Sequence, residues 1–162
     1  MFKNITIAID GTAASGKGTL AKSLCKEFNY AYLDTGKLYR ASALIIRKEN
    51  INSKKKKDIE KVVKSFDFSK FDFFDDRLKS DEIGKLASMI SGYKELRKIL
   101  LEYQKNFAYK NHKNKMGVIL DGRDIGTVVL PDADIKFFIT ASLRVRAERR
   151  WKELISLGQS TI

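Results

Sequence analysis

Ile5-Thr6-Ile7-Ala8-Ile9-Asp10-Gly11-Thr12-Ala13-Ala14-Ser15-Gly16-Lys17-Gly18-Thr19 decides the fold. The apolar residues Ile5, Ile7, Ala8 and Ile9 predict a buried strand over 3–10, and the small residues after it predict a tight turn. Leu20, Leu24 and Phe28 then recur every four residues, with Ala21 and Cys25 beside them, as the inward face of a helix. Strand, glycine-rich turn and helix in this order place Gly11 to Thr19 where a phosphate loop belongs. The glycines let the backbone curl so that successive N–H groups face phosphate oxygens. The helix N-terminus adds partial positive charge, and Lys17 is placed to reach the β and γ phosphates of a nucleotide. Gly18 stands where the usual pattern has Ser or Thr, with a hydroxyl one residue later at Thr19. Direct ligation of magnesium by the residue after the lysine is therefore excluded.

Outward from the loop, a strand around Tyr30 to Leu33 leads into Asp34-Thr35-Gly36 and a helix over 37–49 with Leu38, Ala41 and Ile45 on one face. The chain then changes character. A lysine run at 54–57 precedes a short helical segment with Ile59, Val62 and Val63. The aromatic stretch Phe66 to Phe74 alternates in part, as strands do. Ser80, followed by Asp81 and Glu82, is a helix start with carboxylates in the first turn. Helices over 81–91 and 94–110 follow, the second carrying Leu96, Ile99, Leu100, Tyr103 and Phe107 as a core stripe. From Met116 the parallel-sheet pattern returns. Gly117-Val118-Ile119-Leu120-Asp121 and Ile135-Lys136-Phe137-Phe138-Ile139 both read as buried strands. A basic helix from Ala141 to about Leu157 closes the pattern, with Arg144, Arg146, Arg149, Arg150 and Lys152.

The 162 residues, 43% hydrophobic and 32% charged, suit one globular domain with an insert rather than a disordered chain or a disulfide scaffold. One cysteine, Cys25, and one histidine, His112, leave no zinc cluster and fit a reducing cytoplasm. No secretion signal and no run long enough to cross a bilayer is present, so a cytoplasmic protein away from membranes is expected. The formal net charge of +12 predicts attraction to polyanions, but its sign cannot choose between nucleic acid, acidic lipid and phosphorylated small molecules. A solvated lysine-rich surface accounts for much of it.

Three motifs in order carry a resemblance. The Gly16-Lys17-Gly18-Thr19 ending is similar to that of nucleoside monophosphate kinases. Asp34-Thr35-Gly36-Lys37-Leu38-Tyr39-Arg40 and Asp121-Gly122-Arg123-Asp124-Ile125-Gly126-Thr127-Val128-Val129-Leu130-Pro131-Asp132-Ala133 resemble the bacterial cytidylate kinase family in particular. The resemblance covers nearly the whole chain. It implies an α/β P-loop NTPase fold: a parallel sheet flanked by helices, a small inserted nucleoside-monophosphate-binding domain and an incomplete lid. The core is expected over 1–50 and 111–140, the CMP-binding insert over 51–110 and the start of the lid over 141–162.

The same resemblance implies ATP-dependent phosphorylation of CMP and dCMP, with Mg2+ accompanying ATP. Catalysis would be mostly positioning and charge neutralisation. It assigns Gly11, Thr12, Ala13, Ala14, Ser15, Gly16, Lys17, Gly18 and Thr19 to ATP, with Lys17 on the donor phosphates. Arg40 and Arg123 match arginines that hold the acceptor phosphate, so the catalytic set is Lys17, Arg40 and Arg123. Ser88, Arg97 and Asp124 match positions that read the cytosine edge, and Thr35 one that touches the sugar. A carboxylate at Asp124 accepts from the exocyclic amine of cytosine, which uracil lacks. Asp121 either orients magnesium-bound water or caps a turn at the strand end. The basic residues at 144–152 are either the start of a lid or a solvated helix face.

Family members normally continue further, through a helix whose arginines and aspartate close over both nucleotides, and a last strand and helix. The resemblance therefore implies a shortened chain with part-formed sites, impaired turnover and an uncovered sheet edge, monomeric when full length. Nucleic acid and membranes are not expected partners. The alternatives are a kinase for UMP or AMP, and a non-catalytic nucleotide- or RNA-binding fragment.

Overall fold

The computed structural model describes residues 5–110, 112–156 and 158. Two compact units divide the chain: residues up to Thr35 with those from Gln104 onward, and the continuous stretch Gly36–Tyr103. The expected strand residues 3 and 4 and helix residue 157 lie outside the described residues.

The first unit is built on a four-stranded parallel sheet of β1 (Ile5–Gly11), β2 (Ala31–Asp34), β3 (Gly117–Gly122) and β4 (Ile135–Ile139), in the order β2-β3-β1-β4. Ile9 pairs with Asp121 and Phe137, and Asp34 with Asp121. Helix α1 (Lys17–Phe28) joins β1 to β2. Its Ala21 packs with Ile7, Ile9 and Ile119, and Leu20, Leu24 and Cys25 lie against that core. Phe28, the third member of the expected stripe, is exposed and tilts against Tyr30 with ring centroids 5.9 Å apart. Phe28 is the last residue of the helix, which ends on Asn29 in the left-handed region at φ 53°.

Strand β3 is buried throughout, as its unbroken apolar run predicts. Strand β4 is not. The expectation of a second buried strand fails because β4 lies at the sheet edge, where Phe138 is 69% exposed and Ile135 and Phe137 are also uncovered among the described residues. The helix after it, α6 (Leu143–Ser156), has no buried residue. No helix among the described residues is long and apolar enough to cross a membrane.

The second unit is helical: most of α2 (Thr35–Lys48), then α3 (Lys56–Ser65), α4 (Asp81–Ile90) and the first ten residues of α5 (Lys94–Tyr109). Leu38, Ala41, Leu44, Ile45, Ile59, Val63, Leu78, Ile90, Leu96 and Leu100 form its core. Ser80 caps α4 by accepting from the Ile83 N–H at 3.3 Å, as the Ser-Asp-Glu start predicts. The strands expected over 66–74 are absent. A short 3₁₀ turn (Phe68–Lys70) stands there instead, and another follows at Asp76–Lys79. Asp67 and Asp72 each accept from the backbone N–H two residues on, at 3.0 and 2.8 Å. Such local turns compete with strand pairing. The phenylalanines pack edge-on instead, with Phe66 5.2 Å from Phe68 and Phe71 5.2 Å from Phe73.

Ile119, fully buried in the sheet, tests the first core. Ile119→Ala is expected to cost about 2–5 kcal/mol, read as a lower urea midpoint for loss of the sheet signal.

Candidate active site

The loop leaves β1 at Gly11, packed so closely against β4 that a Cβ there would collide with the Ile139 carbonyl oxygen. The backbone then enters the left-handed region twice, at Ala14 (φ 57°) and Gly16 (φ 101°), a geometry that glycine tolerates and that turns N–H groups toward a common side. Gly16 is the N-cap of α1 and supplies no side-chain cap, and no acidic residue lies in the first turn. The uncapped N–H groups and the dipole at Lys17 thus remain available to an anion. Ser15 Oγ, buried in the loop, has no hydrogen-bond partner among the described residues. Arg149 of α6 reaches the loop, donating from Nη1 to the carbonyls of Ala14 and Ser15 at 3.3 and 3.0 Å. Of the two readings of the basic helix, this contact favours an element lying over the loop for Arg149. Arg150 and Lys152 instead pair with Glu153 and Glu148 on their own helix, both at 2.8 Å.

Beside the loop, the carboxyl ends of β2 and β3 bring Asp34 and Asp121 into register. A Cβ on Gly18 would stand 3.5 Å from Asp121 Oδ2, so the carboxylate lies against the first turn of α1. Tyr32 donates its hydroxyl to Asp121 Oδ1 at 3.2 Å. Burial, then the Asp34 charge, push the Asp121 carboxyl up to about 7, against the opposing pull of Lys17, the Tyr32 hydrogen bond and Lys22. The Tyr32 hydroxyl is pushed well above its ordinary range by burial and then by the charges of Asp121 and Asp34. Burial also pushes the Cys25 thiol up to about 11, which leaves it unreactive. Among the described residues no three His, Cys, Asp or Glu side chains converge as a metal site.

The residues expected at the acceptor divide between the two units. In the first, Thr35 is buried and gives its hydroxyl proton to the Asp121 carbonyl at 2.8 Å, leaving only an acceptor for a sugar hydroxyl. Arg123 is exposed and Asp124 half-buried, at the start of a single π-helical turn, Ile125–Val129. In the second unit Ser88 on α4 and Arg97 on α5 are exposed. Arg40 on α2 donates from Nη1 to the carbonyls of Leu78 and Ser80, at 2.6 and 3.2 Å. Its guanidinium lies over Gly84 of α4, where a Cβ would come within 2.9 Å of Nη2. Gly84 carries no local pattern that marks it, since its contact with Arg40 is tertiary.

A family model described as cytidylate kinase matches residues 7–162. The chain belongs to the cytidylate kinase family. It is 46% identical over 153 residues to a cytidylate kinase of Rhodopseudomonas palustris, covering 94% of this chain and 69% of that one. The figures are 46% over 152 residues for a cytidylate kinase of Rhodospirillum rubrum, covering 94% and 70%. For one of Bartonella tribocorum they are 44% over 157 residues, covering 97% and 70%. The chain thus spans about 70% of the length of these cytidylate kinases, and the resemblance drawn from the three motifs holds.

Two outcomes follow from the geometry. Gly84→Ala is expected to displace the Arg40 guanidinium, leave the fold intact and weaken CMP binding roughly tenfold to a hundredfold by calorimetry. The raised carboxyl of Asp121 means that the folded state holds this proton more tightly than the unfolded chain, whose pKa is about 4. Its contribution to stability therefore falls as pH rises from about 4 to 7. Urea unfolding of wild type and Asp121→Asn across that range should show the wild type losing stability relative to the variant as pH rises.

Proposed function

We propose that this cytidylate kinase chain transfers the γ-phosphoryl group of ATP to CMP and dCMP, giving CDP and dCDP. The observation that carries the reading is the loop itself: left-handed backbone at Gly16, then an uncapped helix that starts on Lys17. Such a loop cradles a polyphosphate through backbone N–H groups. Lys17 neutralises charge on the donor phosphates as it builds in the transition state. The buried Ser15 hydroxyl supplies one further unpartnered polar group within the loop.

Arg40 and Arg123 hold the acceptor phosphate, each offering a planar fork that matches paired phosphate oxygens. Asp124 accepts from the exocyclic amine of cytosine, with Ser88 and Arg97 on the ring nitrogen and carbonyl. Thr35 accepts from a sugar hydroxyl, the one role that its bond to Asp121 leaves open. These assignments rest on matching motif positions, and the exposure of Arg123, Ser88 and Arg97 leaves them accessible to a ligand. In the domain reading, residues 51–110 are the acceptor-binding insert and those from 141 begin a lid, with Arg149 its first contact to the loop.

The donor set fits Mg2+ carried in with ATP. A hard cation that keeps several waters needs one or two carboxylates beside the phosphates, and Asp121 supplies one against the first turn of α1. Bound Mg2+ neutralises phosphate charge. Asp121 would accept from its water, a role that the cation's charge favours by opposing the upward push of burial. Oδ1 of Asp121 accepts from Tyr32, which leaves Oδ2, the oxygen facing Gly18, for this role. A cytoplasmic location and a monomeric full-length form belong to the same proposal.

The test is ADP formation from Mg-ATP with CMP, dCMP, UMP and AMP offered separately. Turnover is expected with CMP and dCMP, and Lys17→Ala should lower it by roughly 10²–10³-fold or more. Equal or greater turnover with UMP or AMP would replace the substrate assignment. Salt-sensitive RNA binding without mononucleotide selectivity would favour a non-catalytic role.

A further inference from the structure

Asp10 is the next-to-last residue of β1, 7% exposed, and in register with Gly122 of β3 and Phe138 of β4. Its carboxylate leaves the sheet to bind the segment after β3. Oδ1 accepts from the Ile125 N–H at 2.7 Å and Oδ2 from the Gly126 N–H at 2.8 Å, both buried. These are the first two amides of the π-helical turn, which no side chain of Asp124 caps. The turn closes on Asp124, whose carbonyl accepts from Val128 and Val129 at 2.9 and 3.2 Å. Its other fixing point is Ile125, fully buried, whose Cδ1 lies 2.7 Å from where a Cβ of Gly122 would be. Gly126 is pressed as closely, with Asp10 Oδ2 3.3 Å and Lys136 Cδ 3.2 Å from its absent Cβ.

The backbone that carries Arg123 and Asp124 is therefore set by a carboxylate that belongs to the strand carrying the phosphate loop. Each buried N–H is aimed at a separate oxygen of the carboxylate, so a side chain with one oxygen in this geometry leaves one of them unsatisfied. An asparagine offers one oxygen, and its amide nitrogen would meet the second N–H donor to donor. We propose that Asp10 is a positioning residue for acceptor recognition: it fixes the Asp124 turn relative to the phosphate loop, and so sets selection of CMP over UMP. This rests on the reading of Asp124 as the group that accepts from the cytosine amine. Asp10 acts on base selection through the turn that carries Asp124.

The experiment is a double-mutant cycle on this chain, with Asp10→Asn, Asp124→Ala and the pair, reading affinities for CMP, UMP and ATP by calorimetry. Asp10→Asn is expected to weaken CMP about tenfold, lower the CMP-to-UMP affinity ratio by a similar factor, and leave ATP within about twofold. In the Asp124→Ala background it should change the ratio no further. Amide exchange by NMR on the same samples should show lost protection at Ile125 and Gly126, with the sheet amides of β1 and β3 still protected. If Asp124→Ala alters the ratio and Asp10→Asn does not, the inference fails while the reading of Asp124 stands. If Asp124→Ala leaves the ratio unchanged, or the wild type shows no preference for CMP, that reading fails and the inference with it. Should Asp10→Asn weaken ATP and CMP alike, or expose the sheet amides, Asp10 is a structural residue only and the proposal is overturned.

Discussion

A loop that is to hold polyphosphate must present backbone N–H groups and keep side chains out of their way, and here that depends on how tightly β1 and β4 approach. The Ile139 carbonyl occupies the space a Cβ at Gly11 would need, so the chain leaves the sheet at a residue that only glycine can be. From there Gly16, in the left-handed region, aims the start of α1 back at the loop. Around the loop, Arg149 rests on the Ala14 and Ser15 carbonyls, and Asp121 feels the charge of Lys17.

Negative charge is handled in two ways at the carboxyl ends of the strands. Asp10 is matched by two backbone amides and spends itself on structure. Asp121 has a tyrosine hydroxyl, a neighbouring carboxylate and little water, and its carboxyl is pushed up against the pull of Lys17. Two aspartates at the ends of adjacent strands thus do opposite work, and the difference lies in what each carboxylate faces.

The first strand, the loop and α1 were legible because their signals are local: an apolar run, glycines at a turn and a four-residue recurrence. The three motifs led from there to the family. The stretch 66–74 misled because alternation of aromatic residues resembles a strand, whereas Asp67 and Asp72 close turns on their own backbone. Strand β4 misled for another reason, since an apolar run shows that a segment prefers burial without showing what covers it. The Arg40 seat on Gly84 and the Asp10 clamp on Ile125 and Gly126 join residues 44 and about 115 positions apart, and no window of sequence displays them. Ser88 and Arg97 entered through resemblance alone, for as helix residues they carry no mark of their own.

The strand order has a consequence for how the molecule comes into being. Strands β1 and β2 never pair with each other; β2 pairs with β3, and β1 with β3 and β4. Every strand that pairs with β1 or β2 therefore lies beyond Met116, after the whole helical stretch in sequence. On the ribosome the phosphate loop is made before β3 and β4, the strands on which β1 stands. Gly36–Tyr103, continuous and rich in local contacts, can meanwhile condense on its own. The loop therefore gains its sheet only when β3 arrives, after the helical stretch has been made.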